Sequence, residues 1–376
     1  MKTLSGKTVV LAVTGSIAAV ETVKLAHALR RRGATVQAVM TEAAAGIIHP
    51  DALAYATGRP VVTRITGLVE HVLYCGEGGA ADLLLIAPST ANTIGKIACG
   101  IDDTPVTTFA TTALGRGMPV VLAPAMHESM YRHPGIKENL RRLQSWGVDI
   151  IGPKVEEGKA KIADNEAIVL HAERAVSGRP LAGRQVLITS GPCAEPLDDV
   201  RVMTTRATGR MGRALALEAF RLGAGVTVVH SDTFPCVRNI RVTTAGEMRE
   251  AVLSACRDEG VDIYVSAAAI SDFVPERREG KIPSGSPLTI RLEPLPKVID
   301  EVMASCRPVT VAFKLGWHEE ERARAMLEAG ARMVVVNAPP VMGAAEGSFC
   351  LMTADGVTEV TGSKEEVASA IWSGLL

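Results

Sequence analysis

Aromatic side chains are scarce: three Trp, four Tyr and six Phe among 376 residues leave few rings on which nucleic-acid bases could stack. An excess of one charge is missing too, since 40 Lys and Arg face 41 Asp and Glu for a net charge of −1. Without a basic footprint no nucleic-acid partner is expected, and small molecules are expected instead. The cysteines at 75, 99, 193, 236, 256, 306 and 350 contain no CxxC pair and are odd in number. That argues against a disulfide framework and for a reduced, cytoplasmic setting. The apolar run Thr8–Val13 is too short for a signal segment or a membrane span, so a soluble protein without a membrane partner is expected. No G-x-G-x-x-G with an acid after a second strand is found, which disfavours a nicotinamide oxidoreductase. His127 and His133 lack zinc-helix spacing and no third ligand type clusters with them, so the residues define no metal site.

What is present is strand, turn and helix in alternation, over a length sufficient for two domains with separate cores. Lys7–Val13 is rich in β-branched residues and reads as a buried first strand. It enters the turn Thr14-Gly15-Ser16-Ile17, after which a helical pattern runs to about Arg32 and closes at Gly33. Free N–H groups at such a turn suit a phosphate, although an ordinary tight turn explains it equally well. Thr35–Met40 is a second strand, and the Thr41 hydroxyl after it can cap a helix while facing a ligand. Two further buried strands, Leu83–Ala87 and Pro119–Ala123, run into the polar turns Pro88–Asn92 and Pro124–His127. In an open parallel sheet ligands bind outside such carboxyl ends. Ser89, Thr90 and Asn92 offer more donors and acceptors than a helix cap needs; Thr107 and Thr108 extend the theme, with packing as their other role. Asn165–Val176 reads as a closing helix and Ser177–Gly183 as a linker. Gly183–Gly191 then echoes Gly6–Gly15, so two Rossmann-like units are expected. In the second, Thr205–Gly212 places glycines and basic residues before an alanine-rich helix that ends at Gly223, again suited to phosphate.

Two resemblances add to this reading. APSTANTIGKIACGIDDTPVTT (residues 87–108) resembles the APATAN…K…A.GI…LLTT segment of the homo-oligomeric flavin-containing cysteine decarboxylases, and Pro124–Tyr131 resembles their PxMNxxMW signature. Ile188–Pro192 with Glu195–Arg201 is similar to the ITAGPTxEPxDPVR opening of phosphopantothenate–cysteine ligases, and Thr205–Gly212 to their SNxSSGKMG motif. Together they cover nearly the whole chain. They imply a fusion of these two enzymes of coenzyme A biosynthesis, in its archaeal form. The implied fold is α/β, with two Rossmann-like three-layer domains, the first a flavodoxin-like flavin-containing cysteine decarboxylase fold (1–178) and the second the ligase (179–376).

For the first domain the resemblance implies FMN held by Gly15, Ser16, Ile17, Thr41, Ser89, Thr90, Asn92, Thr107 and Thr108. His71, the sole histidine between His49 and His127, takes the place of the base in substrate oxidation. Met126 contacts the substrate, and His127 replaces the asparagine that holds the substrate carboxylate. Two departures stand out. Cys75–Gly79 lengthens the interval from His71 to Asp82. Residues 152–164 lack the family's loop cysteine, the proton donor when reduced flavin returns its hydride, leaving Lys159 or a water in that role. For the second domain it implies nucleotide contacts at Gly191, Gly209, Met211, Gly212, Asp272 and Phe313, a substrate contact at Arg201, and Lys281 as the cation on the reacting phosphate. Thr205 stands at an asparagine position linked to the acyl-nucleotide, and Arg322, Arg324 and Arg332 are weaker triphosphate candidates. The implied co-substrates and cofactors are 4′-phosphopantothenate, cysteine, CTP or ATP, Mg²⁺ and FMN, in a homo-oligomer with flavin sites at subunit interfaces. An alternative is a ligase fused to a catalytically inactive flavin-binding regulatory domain, which the absent loop cysteine favours.

Overall fold

In Thr8–Val13 (β1) every residue after the first is buried, as expected of a parallel strand covered on both faces. It pairs in parallel with Thr35–Met40 (β2) and Leu83–Ser89 (β3), which is followed by Val120–Pro124 (β4) and Asp149–Ile150 (β5). The order β2-β1-β3-β4-β5 is the flavodoxin-like doubly wound arrangement, and its switch point lies between β1 and β3. The helices are Thr22–Arg31 (α1), Glu42–Ala45 (α2), Pro50–Thr57 (α3), Glu70–Cys75 (α4), Ala91–Ala98 (α5), Pro105–Arg116 (α6), Glu128–Tyr131 (α7), Pro134–Ser145 (α8) and Asn165–Val176 (α9). Residues of α1, α3 and α9 form one core with the sheet, and those of α5, α6 and α8 form the other. This first unit spans Met1–Arg179 and the second Pro180–Leu376. The computed structural model describes residues 1–156, 159–258, 260–285 and 287–376, apart from the side chains of 155–160. Lys159, raised above as a proton donor, lies in its side chain outside that description.

One local expectation is corrected. The helix read as starting at the Gly15 turn begins instead with a 3₁₀ segment, Ile17–Glu21, and α1 starts at Thr22. The Thr22 hydroxyl donates to the Ala19 carbonyl (2.6 Å), and its own N–H closes an i→i+3 bond to the same oxygen, which favours the tighter turn.

In the second unit Gln185–Thr189 (β6) starts the sheet, followed by the short strands Ala194–Pro196 (β7) and Val202–Thr204 (β8), helix Arg210–Arg221 (α10), and strands Gly225–His230 (β9) and Arg238–Arg241 (β10). Then come Ala245–Asp258 (α11), Ile263–Ser266 (β11), Phe273–Pro275 (β12), Leu292–Pro294 (β13), Val298–Ser305 (α12), Val309–Leu315 (β14), Glu320–Glu328 (α13) and Met333–Asn337 (β15). The hairpin Glu346–Thr353 (β16) and Gly356–Ser363 (β17) and helix Lys364–Ser373 (α14) close the chain. The main sheet has the order β10-β9-β6-β11-β14-β15-β16-β17, parallel through β15 and antiparallel at the hairpin. Its first six strands follow the Rossmann order, so right-handed crossovers put α10 and α11 on opposite faces. Residues of α11, α12 and α13 pack on one face with Leu187, Tyr264, Ala312 and Val334. On the α10 side the fully buried Trp372 of α14 donates its indole N–H to the Leu215 carbonyl at 3.0 Å, joining α14 to α10.

Candidate active sites

At the first switch point the carboxyl ends of β1 to β4 surround a cleft of about 510 Å³. Its walls are Gly15 and Ser16 after β1, Thr41 to Ala43 after β2, Thr90 to Thr93 with Lys96 after β3, Thr104, and Ala125, Met126 and Met130 after β4. Thr14 clamps two of these turns: its hydroxyl donates to the Pro88 carbonyl (2.8 Å) and accepts the Thr90 N–H (3.0 Å). Gly15 is required by close packing, because a Cβ there would lie 2.6 Å from the Ala43 Cβ. Thr41 and Thr90 each cap the helix that follows, accepting from Ala44 N–H (3.2 Å) and Thr93 N–H (3.3 Å). Asn92 is exposed on the cleft wall, whereas Ser89 is buried and lines no wall, its hydroxyl without a hydrogen-bond partner among the described residues.

The structure does not gather every residue singled out in the sequence. Thr107 is buried and completes a capping box with Thr104, and the Thr108 hydroxyl returns to the Asp102 and Thr104 carbonyls. Thr104 takes the place on the wall, because Pro105 starts α6 and leaves its predecessor as the cap. Ile17 is exposed and points to no wall of the cleft. His71, on α4, also lies outside it, with a buried Nδ1 that has no partner among the described residues. His127 caps α7, its Nδ1 accepting the Ser129 N–H (3.3 Å), so that Nε2 is left as the donor. Lys96, paired with Asp103 at 2.7 Å, is a wall residue that turn reading overlooked because it lies one turn inside α5.

In the second unit the turn after β6 is fitted against the start of α10. Gly191 and Gly209 have φ of 78° and 70°, and a Cβ on Gly212 would fall 2.4 Å from the Ser190 Cβ. The Ser190 hydroxyl donates to the Gly209 carbonyl (3.2 Å), and the Ala269 N–H to the Gly191 carbonyl (2.9 Å), fixing the turn to the end of β11. A cavity of about 150 Å³ here is lined by Gly191, Gly209 to Gly212, Phe313, Asn337 and Lys364, among others. A second, of about 570 Å³, shares Ala268, Ala269, Phe313 and Leu315 with it and adds Asp272, Lys297 and Lys314. Gly191, Gly209, Met211, Gly212, Asp272 and Phe313 thus come together.

Arg201 and Lys281 line neither cavity. The Arg201 guanidinium is engaged by Asp198 (2.6 Å) and the Ile282 carbonyl (3.1 Å), so it anchors the loop that carries Lys281. Burial works to raise the Asp198 pKa, but the N–H groups of Ile282, Val200 and Arg201 outweigh it and hold the carboxyl well below the usual carboxylate range. A folded-state pKa below the unfolded one means that the stabilisation is complete above the unfolded value of about 3.9 and is lost as pH falls toward the folded value. Asp198→Asn is expected to weaken this loop at neutral pH and to flatten the loss of stability on the acid side. Denaturant melts of both proteins from about pH 7 down to about pH 3 check this.

Residues 1–176 match the family model described as Flavoprotein, and residues 181–376 the one described as DNA/pantothenate metabolism flavoprotein C-terminal domain. A flavodoxin-like flavoprotein domain joined to a Rossmann-like domain with a glycine turn at its first helix is the class of protein that fold and sites define. The chain is 47% identical to the coenzyme A biosynthesis bifunctional protein CoaBC of Thermococcus kodakarensis, over 98% of its own length and 94% of the relative's. It is 36% identical to the protein of that name from Methanocaldococcus jannaschii (98% and 93% covered) and 35% identical to that of Escherichia coli (82% and 80% covered). The chain belongs to this family of bifunctional coenzyme A biosynthesis proteins.

Proposed function

We propose that the chain joins cysteine to 4′-phosphopantothenate through an acyl-nucleotide in residues 179–376, and decarboxylates the resulting 4′-phosphopantothenoyl-cysteine to 4′-phosphopantetheine in residues 1–178. The observation that carries this reading is that each unit of this family member keeps a built ligand site at its own switch point. In the ligation, a carboxylate oxygen attacks the α-phosphorus of CTP or ATP and pyrophosphate leaves; the cysteine amine then attacks the acyl carbon, releasing the nucleoside monophosphate. The Gly209–Gly212 N–H groups and the dipole of α10 suit the phosphates. Mg²⁺ fits as an ion carried largely by those phosphates, with Asp272 and Asp300 the carboxylates on the wall of the larger cavity.

The first cleft fits FMN. Asn92 presents its amide, Thr41 and Thr90 stand on its wall, and Gly15 keeps the phosphate-type turn free of a side chain. When bound, the flavin supplies the uptake and return of a hydride equivalent. The Gly15-Ser16 turn would hold its phosphate, and Thr41, Thr90 and Asn92 its polar edge. The resemblance makes His71 the acceptor of the substrate proton, from a place on α4 outside this chain's own cleft. His127 donates from Nε2 to the substrate carboxylate, and Met126 packs beside it. In this reading the chain is a homo-oligomer, with Leu68, Val72 and Leu73, exposed around His71, covered by a second copy.

The full-length protein, incubated with 4′-phosphopantothenate, cysteine, Mg²⁺ and CTP or ATP, is expected to show flavin absorbance and to yield 4′-phosphopantetheine by mass spectrometry. Arrest at 4′-phosphopantothenoyl-cysteine would favour an inactive flavin-binding domain fused to a ligase, as the missing loop cysteine allows. No product with either nucleotide would defeat the reading.

A further inference from the structure

The larger cavity of the second unit opens beyond the carboxyl ends of β11 and β14, between Thr205, Asp272, Lys297 and Phe313 to Leu315. Two lysines share its wall with the carboxylates of Asp272 and Asp300: Lys314, half-buried on β14, and Lys297, exposed, the residue that precedes α12. Among the described residues neither ammonium makes an ion pair or a hydrogen bond. Burial first, and then the charge of Lys297, hold the Lys314 pKa below the usual lysine range; Arg322 acts the same way, while Glu319 and Asp272 oppose it. A partly dehydrated ammonium near a second cation costs stability, and an anion bound by both relieves the desolvation of Lys314 and the repulsion.

The position is informative as well. Phe313, the neighbour of Lys314 in sequence, lines both this cavity and the one at the Gly209–Gly212 turn, so an anion here adjoins the site already described for phosphates. Lys281, the cation expected from the sequence, is exposed on a separate loop. We propose that Lys314, together with Lys297, binds a phosphate group of a ligation substrate, either of the nucleoside triphosphate or the phosphomonoester of 4′-phosphopantothenate. The proposal rests on the ligation reading above. The two ammonium groups would offset charge on that phosphate while the α-phosphorus forms its bond to the carboxylate oxygen and loses its bond to the pyrophosphate oxygen. No oxidation state changes.

The test is steady-state ligation by full-length Lys314→Met, Lys314→Arg and Lys297→Met, with each of the three substrates varied in turn. Lys314→Met is expected to raise KM for one phosphate-bearing substrate by about tenfold or more, with KM for cysteine within about twofold of wild type. A rise for the nucleotide identifies the triphosphate, and a rise for 4′-phosphopantothenate identifies the monoester. Lys314→Arg should recover part of the loss, and Lys297→Met should move the same KM. Should Lys314→Met not turn over, equilibrium binding of each phosphate-bearing substrate replaces KM; should it not fold, Lys297→Met decides. Both phosphate-bearing KM values within about twofold of wild type, or different substrates affected by the two lysines, overturns the proposal. An inactive wild type would instead defeat the ligation reading itself.

Discussion

Gly212→Val is expected to lower ligation by at least about 100-fold while leaving decarboxylation of supplied 4′-phosphopantothenoyl-cysteine within about twofold of wild type. The cause is steric. A Cβ at 212 meets the Ser190 Cβ at 2.4 Å and the Ser190 Cα at 3.1 Å, so relief requires moving backbone, and the start of α10 must lift from the turn after β6. That displacement separates the Gly209–Gly212 N–H groups from the Gly191 turn, and misplacement by about 1 Å is enough for a loss of this order. Ser190→Ala removes only one of the obstructing atoms and the bond to the Gly209 carbonyl, so it should not rescue the valine. Product formation from the two added substrates, measured separately in the one protein, checks both halves. Ligation near the wild-type rate would mean that the nucleotide does not use this turn.

The second large effect belongs to His71. His71→Asn is expected to slow release of carbon dioxide by about 10²- to 10⁴-fold, the usual contribution of a positioned general base, with ligation unchanged. Asparagine keeps a hydrogen-bonding group of similar reach but has no nitrogen that can accept a proton at neutral pH. The match of His71 to the base position of the flavin-containing decarboxylases is the reason to expect more than a structural effect, and its buried Nδ1 has no partner among the described residues. Retention of flavin absorbance in the variant separates loss of the base from loss of the cofactor. Wild-type decarboxylation by His71→Asn would assign the proton transfer to another group.

Both effects draw on residues whose meaning was visible to different degrees before folding. Strands were readable because buried parallel strands are continuous apolar runs: Thr35–Met40 has the limits its sequence indicates, and so does the closing helix Asn165–Val176. The polar turns were readable because hydroxyls and glycines mark strand ends, and Gly15, Thr41, Thr90, Asn92, Gly191, Gly209 and Gly212 do line clefts. Thr107 was harder to place. A threonine three residues after Thr104 serves a capping box as naturally as a ligand, and only the start of α6 at Pro105 decides between them.

The sequence by itself determined the chemistry-bearing turns, the division into two α/β units and the family, because these depend on local patterns of apolar runs, glycines and motifs. Tertiary structure alone decided which of those turns share a wall. Strand order is set by crossovers between distant segments, so the neighbours of β1 or β11 are not written in adjacent residues. The same reason separates Lys281, which matches a motif but is held on an outer loop through Asp198 and Asp199, from Lys314, which falls at an unspecified position of the VGFxxET-like strand, where the resemblance gives it no role. A side chain reaches a site through its place on a packed strand, and packing is a property of the whole sheet.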